Sequence, residues 1–164
     1  LLNLTGRSRK VQMELAKELG ITKYPQSGGG CLLTDPQYAK RVKDLKEHEG
    51  LSSLINLTRL KFGRHFRLGK HRLIVGRNQH ENEQIEQTAT EDDLILMPVN
   101  YPGATALIPA SASKSNIEEA AAICARYSDC PPGATMTIEI CSSTLTEKKQ
   151  VKPAAPEKME HFRI

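Results

Sequence analysis

The run TMTIEIC at 135–141 sets Met136, Ile138 and Ile140 against Thr135, Thr137 and Glu139. Strict alternation gives a strand one apolar face and one face for water. Such a strand cannot bury its apolar side alone, so it commits the chain to a sheet with a second layer over it. Two apolar runs qualify as its neighbours, DDLILMPV at 92–99 and ATALIPA at 104–110. They are joined by Asn100-Tyr101-Pro102-Gly103, where proline and glycine suit the centre of a type II turn.

The covering helices announce themselves by their ends. Ser115-x-x-Glu118 opens a helix that puts Ile117, Ala121 and Cys124 on one face, and Pro131-Pro132-Gly133 ends any continuation of it. Asn78-x-x-Glu81 is the pattern of a capping box for a short polar helix. Before it, two short strand-like runs meet at Leu68-Gly69-Lys70. Further upstream, RSRKVQMELAKEL at 7–19 places Val11, Leu15 and Leu19 on one stripe, stopped by Gly20. Asp35-Pro36 then offers a cap and a first-turn proline for a helix carrying Tyr38, Val42 and Leu45, closed by Gly50. The class expected is α/β of the α+β kind, a compact mixed β-sheet domain with flanking helices. It spans 51–145, preceded by a helical arm over 1–50 and followed by an extended tail over 146–164. The chain starts on leucine and reads as a piece of a longer protein.

With 38% hydrophobic residues and no tryptophan, the core must be built mainly from Leu, Ile, Val and Ala. No apolar run approaches the roughly 18 residues of a membrane span, and the polar start is not a signal peptide. No membrane partner is expected. Four cysteines without close pairing argue against a disulfide framework and set the expectation of a cytoplasmic protein with free thiols.

The net charge of +4 is modest, but its distribution is not. Between residues 59 and 80 stand seven cations, Arg59, Lys61, Arg64, Arg67, Lys70, Arg72 and Arg77, with three histidines and no acid. Alternation along strands means that they cannot all point one way. The stretch still suits a nucleic-acid surface, with Phe62, Phe66 and Tyr101 as stacking groups. The other reading is a solvated hairpin whose acids come from elsewhere in the fold, such as Glu81, Glu83 and Glu86. His65, His71 and His80 are scattered, and Cys124 and Cys130 lack ligand spacing, so no metal is assigned.

SGGGC at 27–31 is not a nucleotide loop, because a buried strand, an Asp-Ser pair and a Walker lysine are all missing. Its one chemically competent group is the Cys31 thiol. The capped helix downstream of it and nearby Lys23 would favour its thiolate. Cys31 is therefore a candidate nucleophile; the alternative is an incidental cysteine in a loop.

Two resemblances add to this. Gly76-Arg77-Asn78, Glu81-Asn82, Asp93-Leu94, Pro102-Gly103-Ala104 and Tyr127-Ser128 keep the order and spacing of the RNA-binding domain of the NFACT family, which the stretch from Val75 to Asp129 resembles. The family's histidine after the Asp-Leu strand start is Met97 here, so nothing tied to that histidine carries over. The arm, with FGRHFRLGKHRLIVGRNQHEN after it, resembles the C-terminal part of proteins related to tRNA thiouridine synthases, which carry a PP-loop ATPase upstream. Together they imply a tRNA-facing surface of Lys61, Arg64, Arg67, Lys70, Arg72, Arg77, Asn78 and Asn82. They also make Cys31 a candidate sulfur-carrying thiol, supplied by a cysteine desulfurase persulfide as sulfur donor. No cofactor is expected in this chain; ATP and magnesium would belong to the absent N-terminal domain. The expectation is the tRNA-binding domain of a sulfurtransferase, itself not catalytic. The alternative is an NFACT-type module that binds RNA or the ribosome without enzymatic activity.

Overall fold

The computed structural model describes residues 10–21, 32–131 and 133–164, and the chain divides into two units, 1–32 and 33–164. In the first, helix α1 covers Lys10–Glu18. Residues 7–9 of its expected span lie outside the described ones. Helix α2 (Pro36–His48), read from the sequence as part of the arm, falls in the larger unit. It starts as its sequence dictates: Asp35 Oδ1 accepts from the N–H of Gln37 at 2.8 Å and of Tyr38 at 3.2 Å, and proline fills the first turn. At its end the N–H groups of Glu49 and Gly50 both return to Leu45 O, with Gly50 at φ +79°, a conformation suited to glycine.

The larger unit continues with α3 (Leu54–Arg59), hairpin β1 (Arg64–Leu68) and β2 (His71–Val75), α4 (Gln79–Thr88), β3 (Asp93–Pro98), β4 (Ala106–Pro109), α5 (Lys114–Arg126), β5 (Met136–Cys141), β6 (Thr146–Val151) and α6 (Pro156–Phe162). The strands form one sheet in the order β1-β2-β4-β3-β5-β6, every neighbouring pair antiparallel. The α+β class expected is the one that forms.

Each face has its own apolar layer. On one, Met136, Ile138 and Ile140 join Phe66, Leu73, Leu96 and Ile108 beneath α5, whose Ala120, Ala121, Cys124 and Ala125 let the helix lie close. On the other, Phe62, Ile74 and Leu107 receive Ile85 of α4. Ile85 is fully buried and anchors a helix that is otherwise largely polar, a burial worth about 1.5–3 kcal/mol.

Three local expectations change. The α5 cap is Ser113, whose Oγ accepts from Asn116 N at 3.2 Å, so the helix begins one residue before Ser115. Gly103 does not adopt a positive φ, so the 100–103 link is not a type II turn. Residues 146–164, expected as an extended tail, supply β6 and α6. The polar run TEKKQV forms an edge strand held by backbone pairing to β5, which leaves no hydrophobic alternation to read. At the opposite edge Ile164 N–H donates to His65 O at 3.1 Å, and Arg163 bridges Phe66. No helix among the described residues is long and apolar enough to cross a membrane.

Candidate nucleic-acid interface

The β1–β2 hairpin separates the cations of 59–77 into two groups by strand geometry alone. Arg67 pairs in register with Arg72 near the Gly69-Lys70 turn, so both side chains leave the same face of the sheet. Two like charges side by side need a counter-charge, and α2 brings it. Asp44 ion-pairs with Arg67 and accepts from Arg72 Nη2 at 2.8 Å, while Glu49 accepts from Arg67 Nη2 at 2.9 Å. Burial opposes ionisation of Asp44, but the Arg67 hydrogen bond and the charges of Arg67 and Arg72 outweigh it. Its carboxyl stays below the usual aspartate range. Arg72 is buried. These two arginines hold α2 on the sheet and are not free for phosphate. Lys70, at the turn, is exposed and has no carboxylate partner among the described residues.

The open end of the hairpin is built differently. Arg64 donates from Nη1 to Gly76 O at 3.0 Å and lies 4.3 Å from the Tyr127 ring centroid, a cation–π contact with α5. Arg77 comes directly after Gly76 and pairs with Glu81 at 2.8 Å while remaining 44% exposed. Asn78 caps α4 as expected, accepting from Glu81 N at 3.0 Å. The reciprocal half of the box is shifted by one residue: Glu81 accepts from the N–H of Arg77 rather than from that of Asn78. Burial opposes the ionised Glu81, yet the Arg77 hydrogen bonds and charge hold its carboxyl below its usual range. Lys61 is exposed.

Asn82, expected to face RNA, is buried instead. Its Nδ2 donates to Gly103 O at 3.1 Å and its Oδ1 accepts from Thr105 N at 3.0 Å, tying α4 to the β3–β4 loop. A Cβ on Gly76 would collide with Asn82, and one on Gly103 with Ser128, so both glycines are required for close approach. Four of the five resemblance motifs thus meet as a packed bracket joining β2, α4, the β3–β4 loop and the end of α5, whereas Asp93-Leu94 lies at the other end of β3, where Asp93 pairs with Arg59.

Four of the seven cations, Arg59, Arg67, Arg72 and Arg77, are ion-paired; Arg59 meets Asp93 at 2.5 Å in a buried pair. Of the acids named from the sequence, Glu81 serves, whereas Asp44, Glu49 and Asp93 were not anticipated. Phe62 and Phe66 are core residues and Tyr101 packs against the core, so the stacking set does not form; Tyr127 is the aromatic beside a cation.

The sequence reading also missed Arg41. It reaches from α2 to donate to Leu60 O at 3.0 Å, and burial, with the Arg77 charge second, lowers its pKa from the ordinary arginine value. Its signal was a cation four residues before buried Leu45, on the apolar stripe of α2. Lys61, Arg64 and Arg77, with Arg41 behind them, therefore group cations at the hairpin's open end.

Cys31 lies outside the described residues. Cys124 is buried under the β3–β4 loop, and burial pushes its thiol up to about 12, which makes it a core residue. Among the described residues no three His, Cys, Asp or Glu side chains are grouped to hold a metal.

The family model described as the NFACT protein RNA binding domain matches residues 63–163. No curated protein matches the chain. Among solved structures, the C-terminal part of the fibronectin/fibrinogen-binding protein from Streptococcus suis is similar, with a TM-score of 0.57 and 16% identity. The match covers 75% of this chain and 58% of that one; at this identity the likeness is one of fold.

Proposed function

Because the chain belongs to the family of NFACT protein RNA binding domains, we propose that it is a non-enzymatic RNA-binding module that grips RNA at the open end of the β1–β2 hairpin. The observation that carries the placement is the distribution of partners. Lys61 and Arg64 have no carboxylate partner among the described residues, and Arg77 stays exposed beside them; at the turn end Arg67 and Arg72 are consumed by Asp44 and Glu49, which leaves Lys70 alone of that end's three cations without a carboxylate partner. Phosphates are met by side chains with donors to spare, and Tyr127 beneath Arg64 adds a π-face. A folded RNA such as tRNA is the ligand proposed. The tie to a tRNA sulfurtransferase rested on Cys31, the 1–50 arm and the 62–82 stretch. The family match leaves out Cys31 and the arm and describes the remaining stretch as part of an RNA binding domain, which favours the module reading.

The test is tRNA binding by fluorescence anisotropy from about 50 to about 200 mM salt, where phosphate-driven affinity falls steeply. Lys61→Ala and Arg64→Ala should each weaken binding and lower the salt slope by about one. Arg67→Ala should lower the melting temperature and leave the slope unchanged. Binding that is absent, or indifferent to Lys61 and Arg64, rules the proposal out. Co-sedimentation with ribosomal subunits, set against free tRNA, identifies which RNA assembly is preferred.

A further inference from the structure

Away from the hairpin's open end, the sheet, α2 and α3 enclose a cavity of about 480 Å³, within the range that ligands occupy. Its floor is apolar, made by Leu45, Ile74 and Leu107. Ile55 of α3 stands at its wall at 37% exposure, and the neighbouring Leu51 and Leu54 are 43% and 81% exposed. Large aliphatic side chains held in water beside an apolar hollow are the mark of a binding surface.

The charges around it have an order. The cations of the wall, Arg59 and Arg72, are buried and paired with Asp93 and with Asp44 and Glu49. The charges that reach solvent are carboxylates: Asp92 is exposed, and Glu49 is one-quarter exposed although it is already ion-paired with Arg67 and Arg72. An approaching molecule meets negative charge first, on a chain whose net charge is positive. RNA phosphates are repelled from such a mouth, and cationic groups are drawn to it.

We propose that this cavity is a docking socket for a basic peptide segment of a partner protein, with one bulky aliphatic side chain entering between Ile55, Ile74 and Leu107 and a flanking lysine or arginine meeting Asp92. The socket and the RNA-gripping end of the hairpin carry opposite signs. One module thereby holds RNA on one surface and a basic protein on another.

The full chain, with labelled Ile and Leu methyls, tests this by NMR titration with an acetylated and amidated Lys-Arg-Leu-Arg-Lys peptide. Saturable shifts are expected at the Ile55, Ile74 and Leu107 methyls. Asp92→Lys, a change at an exposed side chain, and Ala110→Trp, which fills the mouth, should each weaken the peptide roughly fivefold or more. Retained methyl dispersion in each variant shows that the fold persists. The proposal is overturned if those methyls do not move, or if a Glu-Asp-Leu-Asp-Glu peptide moves them equally. It is also overturned if a short oligouridine moves them, which would make the cavity part of the RNA surface. Because the peptide experiment contains no RNA, its failure leaves the RNA-binding assignment standing, and the converse holds.

Discussion

His65 is 2% exposed, and its Nε2 stands 2.9 Å from Phe62 O, so Nε2 carries the hydrogen and donates. Burial first, then the Arg41 charge, lower its pKa to about 3; Arg72 adds to the lowering, while Asp44 and the Phe62 bond oppose it. The folded state therefore keeps the imidazole neutral while the unfolded chain protonates it near pH 6.5. Between those values the unfolded state binds more protons, so stability is fully present above about pH 6.5 and is lost as pH falls. Chemical denaturation between about pH 6.5 and 5, above the range of the carboxylates, should show a slope approaching 1.4 kcal/mol per pH unit, and His65→Asn should flatten it. A wild-type chain with no slope there would mean that the ring is protonated within the fold. None of this was visible beforehand: His65 read as one of three scattered histidines, because no neighbour in sequence tells that Arg41 of α2 lies against it.

Helix α2 shows what an element can carry besides its own stability. Its cap, proline and glycine stop were legible, since they are local chemistry. Its function as a counter-charge was not, because Asp44 and Glu49 meet Arg67 and Arg72 only once the hairpin has formed. Asp44→Ala leaves Arg72, and in part Arg67, with a buried charge that only Glu49 answers. A loss of about 3 kcal/mol is expected, read as a fall in denaturation midpoint at unchanged m-value. The depressed Asp44 carboxyl gives the matching pH effect: its contribution is present above about pH 4 and is lost as pH falls below that. The β3–β4 loop offers the contrast. The Pro102-Gly103 pair suggested a turn, yet Gly103 is there because Ser128 of the α5 end occupies the space a side chain would need. Gly103→Ala should cost about 1–3 kcal/mol by overpacking, measured by thermal denaturation.

On the scale of the whole molecule, the sheet and its helical cover were legible from the alternation at 135–141 and from the capped helices. The family likeness was legible from the Gly76-Arg77-Asn78 to Tyr127-Ser128 spacing. The extent of the fold was not, because β6 presents a polar face to both sides and α6 comes after two short links. The basic run was legible as charge but not as a site, since folding spends more than half of it on ion pairs and leaves Lys61 and Arg64 unpaired at the open end and Lys70 at the turn. The closure of the β1 edge by Arg163 and Ile164 bears on how the protein is made. At a synthesis rate of roughly 5–20 residues per second, β1 leaves the ribosome several seconds before the residues that cover it. For that interval its unpaired edge is open to other nascent chains, and a chaperone that recognises extended strands has a defined moment to act. Slow translation between residues 65 and 163 should thus lower soluble yield, although it alters no residue of the finished fold.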